Sequence, residues 1–260
     1  MSQPDRRVPV KDNNEVAPPR APGLGEAFEQ MHAEGGEPWS FSERGVELLR
    51  QERVARLVAG LSPRRVLELG CSLGLMTERL SAIPVELWAM DLSPSATRRA
   101  RQRLRSAGTV TTPRFAVGTA TQLPIASDSF DVIVASDGLY SWQLDADGRA
   151  AALGEIRRAL VLRGHAVLTE HLRPAHFPVF IQEIRASMLH VERVIYFADR
   201  PCYQFESWLR AIEHWPVART ARRSVRLARA LSALGRPFGP IASRHVCVIA
   251  RREGQAPGQG

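Results

Sequence analysis

Lysine is almost absent from this 260-residue chain, with Lys11 standing alone, so the formal net charge of +8 is carried by arginine. Such an excess is as compatible with coding bias as with a basic binding face. Cysteine is also scarce. Cys71, Cys202 and Cys247 are odd in number, far apart and without a CxxC pair, which excludes a disulfide framework and supplies no zinc-ligand spacing. A reducing cytoplasm is the expected compartment, and no metal is expected. No apolar run approaches the ~18 residues of a membrane span. Arg6 and Arg7 are followed by the polar stretch VPVKDNNEVAPP, where a twin-arginine signal would need an apolar region. Self-similarity at a fixed period is missing too.

With 44% hydrophobic residues, the chain can bury the core of one large α/β domain. Residues 1–24, rich in Pro, Asn and charge, read as a disordered leader. Residues 25–60 read as an N-terminal helical lid: a short helix, a turn at Gly35-Gly36, and a longer amphipathic helix ending at Gly60. Short apolar runs then alternate with helical patterns over 61–172. The strands are expected at 66–69, 85–90, 115–117, 130–136 and 165–172, with helices at 93–108 and 147–161. That alternation predicts a Rossmann-like, doubly wound α/β fold, with a mostly parallel seven-stranded sheet and helices on both faces. Residues 173–252 are expected to hold a helical acceptor-site cover and terminal strands. The stretches 177–194 and 203–215 read as helical over much of their length, 243–252 as a closing strand, and 173–240 as a cover for the open sheet edge. Residues 253–260 are a tail. The arginines concentrate at 98–105 and 219–231, read either as solvated helix faces or as a surface for an acidic ligand.

The stretch RRVLELGCSLGLMTERL, residues 64–80, reads as strand, tight turn and helix, a place where glycines admit a ligand to a helix N-terminus. It is not a phosphate-binding P-loop, because Leu75 and Met76 follow Gly74 where Lys and Ser or Thr are required. Nor is it the dinucleotide fingerprint, whose second glycine is replaced by Ser72. What remains is Glu68, two residues before Gly70, with Gly74 four residues after it. Asp91 closes the second strand about twenty residues downstream, where a carboxylate can accept both hydroxyls of a ribose. The alternative is a helix cap, since DLSPSA also offers Ser93 and Ser95.

These segments resemble the class I S-adenosylmethionine-dependent methyltransferases. LELGCSLG is similar to their first motif, AMDLSPSA to their second-strand acid, VGTATQLPIASDSFDVI to the stretch before the fourth strand, and LVLRGHAVLTEHL to the fifth. The resemblance covers residues 60 to 172. It implies S-adenosylmethionine as cofactor, with Gly70, Cys71 and Gly74 along the methionine portion, Asp91 on the ribose, Leu92 on the adenine, and Thr119 and Ala120 at its edge. Glu68, Trp39 and Ser136 complete the expected cofactor set. Thr119 departs from the pattern, standing where many members carry an aspartate. A narrower likeness joins EPWSFSERGVELLRQER and DVIVASDGLYSW to the bacterial nodulation-type N-methyltransferases of amino sugars, with Trp39, Leu139 and Tyr140 at matching positions.

For the transfer itself, His171, Glu170 and Tyr140 are the candidate catalytic residues. His171 reads as a base, an acceptor-orienting group or a surface imidazole. Asp137 would orient an acceptor or cap a turn, His176 follows in the loop, and His165 reads as structural. Trp39 would be a lid over the cofactor or ordinary packing. The expected partner is a small-molecule acceptor methylated on nitrogen or oxygen, possible examples being an amino sugar or a specialised metabolite, with no membrane and no nucleic acid, by a monomer or homodimer. An RNA methyltransferase and a non-catalytic cofactor-binding protein are the competing readings.

Overall fold

The computed structural model describes residues 24–33, 36–139 and 144–254. Its centre is a seven-stranded sheet in the order β3-β2-β1-β4-β5-β7-β6. The strands are β1 (Arg65–Leu69), β2 (Glu86–Asp91), β3 (Arg114–Val117), β4 (Phe130–Ser136), β5 (Leu160–His171), β6 (Leu189–Tyr196) and β7 (His245–Arg252). The first five run parallel, and β7 is inserted antiparallel between β5 and β6. The helices are α1 (Leu24–Ala33), α2 (Gly45–Gly60), α3 (Leu75–Leu80), α4 (Pro94–Ser106), α5 (Ala146–Ala159), α6 (Phe177–Ala186), α7 (Arg200–Ala211), α8 (Pro216–Arg223) and α9 (Val225–Gly235).

Alternation along each strand divides the core in two. Leu67, Ile133 and Leu168 face α5 and α6, where Ile156, Phe177 and Phe180 are buried with them. Val66, Val132, Val134 and Val167 face the other way, onto Val54 and Val58 of α2 and Leu80 of α3. Both faces are apolar because both are covered. Among the described residues, no helix is long and apolar enough to cross a membrane, and the three cysteines are free and buried.

One expectation is corrected. The span 177–194 is not one helix: α6 stops at Ala186, Met188 takes a positive φ of 61°, and β6 begins at Leu189. The β-branched residues of LHVERVIY favour a strand, and pairing with β7 decides the matter. Residues 173–240 also do more than cover an edge, since β6 forms that edge itself, α9 packs on α2 and α7, and Cys202 of α7 is buried with Val46 and Leu49 of α2. The parallel strands all end on one side of the sheet, and α2 and α7 begin there.

Candidate active site

The turn after β1 carries the strain its glycines allow. Gly70 and Gly74 have φ of 76° and 79°, and Ser72 between them has 45°. The N–H groups of Gly70 and Cys71 donate to the Met90 carbonyl, which fixes the turn beside the end of β2. A Cβ on Gly70 would meet nothing within 4 Å, whereas one on Gly74 would press on Ala100 and Leu104 of α4 at 3.0 Å. Gly74 therefore serves helix packing, and Gly70 faces open space.

That space is an open cleft whose walls include Trp39, Arg50, Gln51, Glu68, Cys71 and Ser136. Glu68 is 2% exposed and accepts from Thr77 Oγ1 at 2.6 Å. Burial, reinforced by the nearby Asp91 carboxylate and opposed by the Thr77 hydrogen bond, pushes its pKa up to about 8. Burial also raises the Cys71 thiol well above its ordinary range. Asp91 accepts from Ser72 N at 2.8 Å through one oxygen and from Ser93 N at 2.9 Å through the other. Each oxygen keeps acceptor capacity for a further donor. The N-cap of α4 is Ser93, whose hydroxyl accepts from Ala96 N, so Asp91 is not that cap.

On the adenine side of the expected site, Leu92 is 36% exposed. The Thr119 hydroxyl lies 2.9 Å from that of Thr121, and Ala120 packs on the core. Trp39 stacks on Phe41 with ring centroids 5.8 Å apart and tilts against His32 at 5.6 Å. Three polar groups of α1 and α4 carry no signal in the sequence. His32 Nε2 lies 3.1 Å from the Ser72 hydroxyl. Arg99 Nη1 donates to the His32 carbonyl. Glu29 accepts from Ser93 Oγ, Ser95 N and Ser95 Oγ, contacts that hold its pKa down to about 2, Ser93 foremost. These tie α1 across the start of α4.

Beyond β4 and β5 the expected catalytic residues part company. Thr169 and His171 share one strand face while Glu170 points to the other. Glu170 is buried and accepts from Leu139 N at 2.7 Å. Tyr140 lies outside the described residues. His176 is exposed in a short turn and His165 Nε2 sits 3.2 Å from Glu192. His171 enters a polar cluster that joins α2, α7 and β7. Its ring lies 4.7 Å from that of His245 and 5.5 Å from that of Tyr203. Burial, helped by the facing His245, lowers its pKa to about 4.

His245 behaves oppositely. Its Nδ1 is 2.5 Å from Asp199 Oδ2 and its Nε2 is 3.6 Å from Asp137. Burial disfavours its charge, but Asp137 and Asp199 outweigh that and raise its pKa to about 9. Arg50 donates to Glu47 at 3.0 Å and lies 2.8 Å from Asp137. Tyr203 donates to Glu47 at 2.5 Å. Arg50, Glu47, Tyr203, Asp199 and His245 were not singled out from the sequence. The only trace there is the Glu-Arg spacing in VELLRQ, which looks like any solvated helix pair.

The polar atoms of the cleft match an amino-acid-bearing nucleoside such as S-adenosylmethionine. Gln51 is 3% exposed, and its Oε1 is buried without a partner; Ser136 Oγ is buried likewise. A buried polar atom without a partner costs about 1–3 kcal/mol, and an α-ammonium and α-carboxylate would relieve both. Arg50 supplies the matching positive charge, and Gly70 leaves room for the backbone approach. The residues fit.

Residues 66–164 match the family described as "Methyltransferase domain". Nodulation protein S of Sinorhizobium fredii is 28% identical over 132 residues, covering 50% of this chain and 59% of that protein. Its namesake from Rhizobium tropici is 29% identical over 132 residues, covering 50% and 53%. The matched part is thus little more than half of those relatives' length. Among solved structures, the N-methyltransferase NodS of Bradyrhizobium japonicum, in complex with S-adenosylhomocysteine, superposes with a TM-score of 0.63 at 18% identity, covering 89% of this chain and 100% of that one. The [4+2]-cyclase SpnF superposes at 0.56 and 19% identity, covering 78% and 80%. At such identities the likeness establishes the fold alone. Motif and sheet order agree with the matched family: residues 66–164 form a methyltransferase domain of the class I S-adenosylmethionine-dependent kind.

Proposed function

We propose that this protein transfers the methyl group of S-adenosylmethionine to a nitrogen of a small-molecule amine. The observation that carries this reading is the pairing of a cleft fitted to an amino-acid tail with an acceptor side that lacks a strong base. Gly70 and Cys71 would line the methionine portion, with Glu68 beneath it and Trp39 above. Arg50, Gln51 and Ser136 would hold its carboxylate and ammonium. Asp91 would take the ribose hydroxyls, Leu92 the adenine face, and Thr119 with Ala120 the adenine edge. When bound, the cofactor supplies an electrophilic methyl group on a sulfonium.

The protein's own task is then to hold the acceptor in line and close. A hydroxyl acceptor would have to surrender its proton during attack, and His171, with a pKa of about 4, is poorly matched to take it near neutrality. A neutral amine attacks through its lone pair. The new C–N bond forms as the C–S bond breaks, the electron pair stays on sulfur, and the product nitrogen becomes cationic until it loses a proton to solvent. His171 would accept a hydrogen bond from the amine and aim it. The nodulation relatives support nitrogen over oxygen.

The arginine-rich helices do not favour RNA. Arg103 pairs with Glu78, Arg222 and Arg223 with Glu43, and Arg229 with Glu52, so these charges are already engaged. The test is calorimetric titration with S-adenosylhomocysteine, followed by transfer of labelled methyl to matched amine and alcohol panels. Binding with label on amines is expected. Label on alcohols alone would overturn the nitrogen assignment, and binding without transfer to any acceptor would favour a non-catalytic role.

A further inference from the structure

Arg50 belongs to two sites at once. Arg50 lines the cofactor cleft, where it is the sole basic side chain among the described lining residues. It also sits between Glu47 and Asp137, with Nη2 3.0 Å from one and 2.8 Å from the other. Ligand atoms of Glu47, Asp137 and His245 lie within 4.8 Å of one another, a spacing that would suit a cation. Arg50 bridges two of these three already, so the cage has its positive charge built in.

The charges around the cage are nearly balanced. The carboxylates of Glu47, Asp137, Asp199 and Glu206 face the cations Arg44, Arg50 and His245. Burial alone would raise the pKa values of Glu47 and Asp137. The facing Arg50, with Arg44 beside Glu47 and His245 beside Asp137, more than reverses this and keeps both ionised. If Arg50 turned away, two buried carboxylates would lose a partner they cannot do without, since an uncompensated buried charge costs several kcal/mol.

We infer that Arg50 holds the place of the acceptor: in the cofactor-free protein its guanidinium fills the anionic cage of Glu47 and Asp137, and the carboxylate of the bound cofactor draws it into the cleft, opening the cage to the ammonium of an amine substrate. This rests on the methyltransferase reading and names its substrate class, an amine that arrives as a cation. The cage lies one residue beyond Ser136, at the end of β4, and so adjoins the cleft. The ammonium loses one proton to solvent before the neutral nitrogen attacks, with His171 accepting a hydrogen bond from it. The device makes binding ordered, with cofactor first. It also excludes anionic and neutral acceptors, because only a cation replaces what Arg50 removes.

The experiment uses the full chain and methylammonium as the probe, with potassium at equal ionic strength as the control. Calorimetry first establishes whether S-adenosylhomocysteine binds, and ligand-observed NMR then measures methylammonium affinity with and without it. S-adenosylhomocysteine is expected to tighten methylammonium binding by at least about tenfold, and methylammonium to tighten S-adenosylhomocysteine by the same factor, as linkage requires. Arg50→Ala should bind methylammonium without S-adenosylhomocysteine, and Asp137→Asn should weaken it in every state. The wild-type comparison stands even if a variant misfolds. Equal affinity in the two states, or no methylammonium binding in either, overturns the inference while leaving the cofactor reading intact. Failure of S-adenosylhomocysteine to bind takes down the cofactor reading and, with it, the displacement of Arg50.

Discussion

The backbone N–H of Ser72 donates to Asp91 Oδ2 over 2.8 Å, so the glycine turn that ends β1 is held by the acid that ends β2. The other Asp91 oxygen takes the N–H of Ser93. One side chain thus shapes the turn and keeps the acceptor capacity that the proposed ribose contact would use. Asp91→Asn replaces one of these acceptor oxygens by a donor nitrogen and removes the charge. Calorimetry should show S-adenosylhomocysteine affinity falling by about 10- to 100-fold, the range set by losing a charge-assisted hydrogen bond. An unchanged affinity would remove Asp91 from the ribose.

Gly70 and Gly74 predict a crossed result. Alanine at either meets a positive φ, at a cost of about 1–2 kcal/mol. At Gly74 it also strikes Ala100 and Leu104, so Gly74→Ala should lose the more stability, about 2–4 kcal/mol in urea unfolding. Gly70→Ala should stay folded and lose S-adenosylhomocysteine binding instead, because its methyl enters the cleft. Equal binding by Gly70→Ala and wild type would show that the cofactor does not approach this turn.

Glu68 sets a pH dependence of known sign. Its folded pKa of about 8 lies above the ordinary 4.5, so its contribution is fully present below pH 4.5 and is lost as pH rises through 8. Glu68→Gln removes the penalty of charging a buried carboxylate. Its melting temperature relative to wild type should therefore climb between pH 5 and pH 9, by about 5 °C or more. A difference that stays flat across that window would mean Glu68 ionises without cost.

His245 is raised instead to about 9 from 6.5 by Asp137 and Asp199. Its stabilisation is fully present below pH 6.5 and is lost as pH rises through 9. Differential scanning calorimetry of His245→Gln should show the largest deficit near pH 6, about 5 °C or more, narrowing toward pH 10. A deficit that widens with pH would show that the imidazole is neutral in the folded protein.

The legible parts of this molecule were those with short-range signals. Val66 to Leu69 followed by Gly70, and Asp91 after an apolar strand, announce a strand, a turn and an acid whatever lies around them. β6 was missed because HVERVI has no clean period, and its strand character comes from β7, fifty residues later. Arg50, Tyr203, Asp199 and His245 were illegible for a related reason. Each is an ordinary polar residue on its own element, and only the packing of α7 and β7 against α2 turns the four into one cluster. Trp39 and His171 could be singled out from the sequence, whereas the groups that face them, His32 and His245, came only with the fold.

The place of β7 has a consequence for how the protein comes to be folded. β6 is made before β7 but pairs with it alone, and β5 offers β7 its free edge only on the side where β6 must eventually stand. The sheet therefore cannot be completed in the order in which it is synthesised. β1 to β5 can assemble as a parallel half, while β6 and the helices after it wait for residues 245–252 to slide in between. His245, the first residue of that strand, brings the final charge to the cluster beside α2. Closure of the sheet and assembly of the charged cluster are then a single late event with contacts distant in sequence, the kind that folds slowly. A nascent chain would hold an exposed β5 edge until that moment.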